Sequence, residues 1–163
     1  MSRYRISPFR ELGLLISEGF MQEGLQIIKA VRNRYDGEKR NPWNEIECGS
    51  NYARPMASFA LLPIFSGFTF DVPNNHIGFA PRIPGDFKCF WSVGTGWGDF
   101  IKTSTDCKII LAQGTLTLES IYLEKLDRVQ CLRIDGKPIP FTKCGSKICF
   151  EKTTAAREIA IAL

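Results

Sequence analysis

One short segment concentrates the side chains that can do chemistry. It runs Arg40-Asn-Pro-Trp43-Asn-Glu45-Ile-Glu47-Cys-Gly-Ser-Asn-Tyr52-Ala-Arg54. Carboxylates accept hydrogen bonds from hydroxyls, a guanidinium donates them, and an aromatic face covers the apolar side of a pyranose ring. Glu45, Glu47 and Arg54 beside Trp43 and Tyr52 therefore suit a sugar. In an extended segment Glu45 and Glu47 point to the same side, a spacing that admits a glycosidase carboxylate pair without establishing one. Pro42 and Gly49 punctuate the segment, so its front half reads as loop or extended chain.

The run Arg40 to Gly49, followed by Tyr52-Ala-Arg54 and Met56-Ala-Ser58, closely resembles a signature of the glycoside hydrolase family 116 catalytic domain. This is the family of non-lysosomal glucosylceramidase and of bacterial and archaeal β-glucosidases. The resemblance continues in Val31-Arg-Asn-Arg-Tyr-Asp-Gly37, Ser66-Gly-Phe68, Ile77-Gly-Phe-Ala-Pro81 and Gly94-Thr-Gly-Trp-Gly98. It covers at least residues 12–100. It implies the last helices of an (α/α)6 barrel, in a family whose longer members place a β-sandwich before the barrel. It also implies a β-glucoside-type sugar substrate and a retaining reaction through a glutamate nucleophile and an aspartate acid/base. Both catalytic residues lie upstream of the matched segment in the family and have no counterpart here, so no catalytic residue is assigned. By their places in the motif, Glu45 and Arg54 match the glutamate and arginine that hold the glycone hydroxyls, and charged partners strengthen such bonds. Glu47 then anchors the loop, Tyr52 supports the site, and Trp43 either walls it or fills core. Trp97 and Asp99 lie in a resembling segment and carry no assigned role.

Three functional readings follow. The first is the C-terminal part of a β-glucosidase-type enzyme, inactive alone, with an upstream-encoded chain as the partner bearing the catalytic pair. The second is a stand-alone carbohydrate-binding or interaction module. The third is a small independent glycosidase using Glu45 and Glu47.

The whole chain narrows the field. At 163 residues and 18.4 kDa it holds one or at most two small domains. A net charge of +4, from 21 basic and 17 acidic residues, is interspersed rather than blocked, so no nucleic-acid surface is expected. No apolar run is long enough to span a bilayer. The N-terminus lacks the apolar core of a secretory signal. Six cysteines without Cys-x-x-Cys, and a single histidine, His76, argue for reduced, mostly buried thiols. No metal site and no cofactor is expected, and the location that follows is cytoplasmic.

The elements that must position the segment fall into two parts, giving an α+β fold class with helical residues 1–67 and β-rich residues 68–163. Apolar residues from Phe9 to Val31 recur at helical steps over about 8–33, with Gly19 the candidate break. A second helix is expected over 51–65, stopped by Gly67; it would let Arg54 project back toward Glu45. After Gly67 the period becomes two. Strands are expected over 68–73, 87–93, 98–104, 107–112, 115–123, 128–134, 137–141, 147–151 and 157–163, with a connecting loop near 67–86. Asp135-Gly136 suits a type I′ hairpin turn. The tail should form an antiparallel layer packed on the helices.

Overall fold

A computed structural model describes residues 13–16, 18–34, 38, 60–124 and 126–163. The chain divides into two compact units, Met1–Phe65 and Ser66–Leu163.

In the first unit, residues 13–16 are helical and α1 spans Met21–Arg34. Gly19, at φ +92°, separates them. The Gly19 amide donates to the Ile16 carbonyl and the Phe20 amide to the Leu15 carbonyl, the two bonds of a Schellman cap that needs a left-handed residue. The expected single helix is thus two pieces, broken where glycine makes positive φ inexpensive. Its apolar stripe is only partly core. Ile16 is fully buried, whereas Leu14, Phe20 and Leu25 are exposed. The short α2 spans Leu61–Ser66 and ends at Gly67, φ +57°. The first part of the expected second helix, 51–59, lies outside the described residues.

The second unit is a β-sandwich. Its strands are β1 (Thr69–Asp71), β2 (His76–Phe79), β3 (Phe87–Val93), β4 (Gly96–Lys102), β5 (Asp106–Gly114), β6 (Leu116–Leu123), β7 (Cys131–Ile134), β8 (Lys137–Pro138), β9 (Phe141–Cys144), β10 (Lys147–Ala155) and β11 (Glu158–Ala162), with one 3-10 turn over Leu126–Arg128. One sheet is ordered β1-β2-β6-β10-β9, the other β3-β4-β5-β11-β7-β8. Period-two burial drives the pairing. Along β3, Cys89 and Trp91 point inward while Lys88, Phe90 and Ser92 point out. In β11, Ile159 and Ile161 face the core. The inner faces interdigitate, and Phe79 of the first sheet stacks on Phe100 of the second at 4.0 Å and 1°. Each fully buried Leu, Ile or Phe contributes about 1.5–3 kcal/mol. The fully or almost fully buried set Ile77, Phe79, Phe100, Ile109, Leu118, Ile121, Ile148 and Ile159 spans both sheets. The sandwich therefore closes a core of its own.

This overturns the α+β class expected from sequence. Strand makes up 51% of the described structure, and its helices are short, so the described chain is mainly β and contains no helical barrel part. A helical period over a few turns does not fix a class when inward alternation of Ile, Leu and Phe recurs over the much longer stretch that follows. Two further corrections concern the sheets. The strand expected over 68–73 is present as β1, but the stretch after it, expected as connector, also contains β2, whose four residues are all buried and show no alternation. Nor is the layer wholly antiparallel, because β2 pairs β6 in parallel, His76 opposite Ser120 and Phe79 opposite Leu123. The intervening β3–β5 supply the long crossover that a parallel pair requires.

Candidate functional site

The five residues singled out by sequence, Trp43, Glu45, Glu47, Tyr52 and Arg54, lie outside the described residues. The second unit does present arrangements that can be assessed from their geometry.

The most developed is the outer face of β3 and β4. Their register sets Ser92 opposite Trp97, Phe90 opposite Asp99 and Lys88 opposite Ile101. On the far side of β4, Gln113 of β5 is opposite Trp97. Phe90 and Trp97 are 48% and 43% exposed, with ring centroids 6.0 Å apart and planes tilted by 41°. Lys88 Nζ lies 2.9 Å from Asp99 Oδ2. Between Trp97 and Gly98 the β4–β5 register shifts, leaving Ala112 of β5 as the extra residue of a bulge. At Gly98 a Cβ would collide with the Ile110 carbonyl and the Ala112 amide nitrogen. Glycine is therefore what lets β4 lie close on β5, and the alternation along β4 turns Trp97 to solvent. Sequence reading left Trp97 without a role. The signal was present in an aromatic at a solvent-side position between glycines.

A cleft of about 360 Å³ opens beside the 81–86 loop. Arg82, Lys102 and Arg128 face it together with Asp86 and Glu124, and Lys102 donates to Glu124 at 3.2 Å. Charges of both signs leave it no single-sign field.

His76 is 6% exposed, and its Nδ1 lies 3.0 Å from Ser120 Oγ. Burial holds its pKa below the ordinary imidazole value. Lys147 adds to this, while Ser120 and Asp71 oppose it. A base beside a hydroxyl is one ingredient of nucleophilic catalysis. The pair is a satisfied hydrogen bond between β2 and β6.

The described cysteines are unpaired, and only two of the five are buried. Burial raises the Cys89 and Cys107 thiols to about 11. Cys144, exposed on β9, is held below its usual value by bonds from Cys149 and Thr142. No group of three or more His, Cys, Asp or Glu able to hold a metal occurs among the described residues. None of their helices is long and apolar enough to cross a membrane.

No family model matches the chain, and no curated protein matches it.

Proposed function

We propose that this chain is the C-terminal, sugar-holding part of a β-glucosidase or glucosylceramidase-type retaining glycoside hydrolase. Glu45 and Arg54 bind hydroxyls of the glycone, and Trp43 borders the same sugar. Glu47 and Tyr52 hold the loop in place. The observation that carries the reading is the segment Arg40 to Arg54, with its carboxylates, aromatics and guanidinium in the order of the family signature. Without the nucleophile and the acid/base the chain is inactive alone, because a retaining mechanism needs both carboxylates. The partner is an upstream-encoded polypeptide bearing that pair, the substrate is a β-glucoside, and the setting is cytoplasmic.

The test is hydrolysis of a chromogenic β-glucoside by the purified chain, with and without that polypeptide. Activity only on mixing, lost in Glu45→Gln and Arg54→Gln, is the expected outcome. Activity of the chain alone would sink the reading and make Glu45 and Glu47 the catalytic pair.

A second reading is a stand-alone carbohydrate-binding module. The observation favouring it is that the β-sandwich encloses a core of its own. No activity on mixing, with measurable sugar affinity, would select it.

A further inference from the structure

We propose that the outer face of β3 and β4 is a second sugar-binding surface, a platform on which Phe90 and Trp97 stack against pyranose rings of a neutral oligosaccharide. It stands on the geometry of the sandwich and not on the reading of residues 40–54.

Four observations carry it. Two large aromatic rings stand on the solvent side of the β3–β4 pair, each more than two-fifths exposed. Leaving such rings wet forfeits the gain that burial would bring. The alternation of β4, with Gly96, Gly98 and Phe100 inward, keeps the indole outward. Each ring also has a hydrogen-bonding neighbour directly across the ladder. Trp97 lies between Ser92 and Gln113, and Phe90 lies beside Asp99. Lastly, the two charged groups of the patch neutralise one another in the Lys88–Asp99 ion pair.

The pattern selects the ligand. The core of a protein–protein contact is depleted of Lys and Asp, whereas this surface alternates rings with a hydroxyl, an amide and a carboxylate. A sugar asks for that alternation, since its C–H face packs on a ring while its equatorial hydroxyls reach polar groups at the ring edge. Because the ion pair leaves no net charge facing the rings, the sugar is a neutral one. Among the described residues β3 is an edge strand, so a chain of sugars can approach along it. Lys88 on that strand meanwhile discourages pairing with another sheet.

The experiment uses the full chain. Retardation in native gels containing a soluble neutral β-glucan gives binding, and titration with neutral β-gluco-oligosaccharides followed by tryptophan emission gives affinity. Trp97→Ala and Phe90→Ala should each weaken binding by about tenfold, and Trp97→Phe, which keeps a ring, should restore most of it. Val72→Ala, at an exposed apolar residue of the β1–β2 turn, should bind as the parent does, and the Glu45→Gln/Arg54→Gln double variant is measured beside it. Far-UV circular dichroism and size-exclusion chromatography establish that each variant is folded. Binding that survives Trp97→Ala and is lost in the double variant would overturn the platform and favour residues 40–54 instead. Absence of glucan binding by the parent chain would overturn it outright. A change of oligomeric state in Trp97→Ala with glucan binding unaltered would make the face a protein contact and overturn it equally.

Discussion

Asp135 clamps the point where the chain passes from one sheet to the other, and its removal should loosen that corner. The residue sits with Gly136 in the turn between β7 and β8, at φ +50° and +82°, the positive pair that a type I′ turn requires. Its side chain reaches the connection between β10 of one sheet and β11 of the other. Oδ2 accepts from the Ala156 amide at 2.9 Å, and Oδ1 accepts from Arg157 at 2.8 Å and Glu158 at 3.0 Å. These bonds, the one from Glu158 foremost, hold the carboxyl below the ordinary aspartate range. The site is exposed, so each charged bond is worth well under its buried value. Three together contribute about 1.5–3 kcal/mol. Asp135→Gly keeps the turn and removes the bonds, so it should lose about 1.5–3 kcal/mol. Asp135→Ala also puts a Cβ at positive φ and should lose about 1 kcal/mol more. Asp135→Asn can keep two of the three bonds and should fall between parent and glycine. Urea unfolding followed by tryptophan emission measures the series. The folded pKa is depressed, so the contribution is present above the unfolded aspartate value and disappears as pH falls through the folded one. The gap between parent and Asp135→Gly should therefore narrow as pH falls below the ordinary aspartate value of 3.8. Equal stability of parent and Asp135→Gly at pH 7 would refute the clamp, as would a gap that persists in acid.

Other outcomes follow from the same core. Because His76 is buried with a depressed pKa, the unfolded chain binds the extra proton. Stability is full above about pH 6.5 and falls on acidification, with a slope of at most about 1.4 kcal/mol per pH unit. Urea unfolding between pH 8 and 5 should show this slope in the parent and lose it in His76→Gln. Trp91 Nε1 is buried without a partner, a cost of about 1–3 kcal/mol. Trp91→Phe should accordingly lie within about 1 kcal/mol of the parent in thermal unfolding, where Trp91→Ala loses about 3–5 kcal/mol. Among the described cysteines, Cys144 should be alkylated first by iodoacetamide at pH 8 and Cys89 and Cys107 last. Peptide mass spectrometry reads the order, and early labelling of Cys107 would contradict its burial.

By itself the sequence determined the period-two strands. Alternation placed β3 at 87–93 and came within a few residues of β5, β6 and β11. Asp135-Gly136 announced its turn through local conformational preference, and Gly67 ended α2 for the same reason. The segment from Trp43 to Arg54 was legible only as a set of residue types in an order, since convergence on one ligand is a property of space. Tertiary structure decided the rest. Nothing local distinguishes the four wholly buried residues of β2 from a loop until β6 lies beside them. The helical period near the N-terminus did not set the class of the described chain, because class is set by which faces find a core. Asp135 gained its second role only when the β10–β11 corner came within reach of its carboxylate. Trp97 became a surface feature for a similar reason. The alternation of β4 puts it on the face opposite Gly98 and Phe100, and which of those faces is the outer one is decided only when the second sheet covers the other.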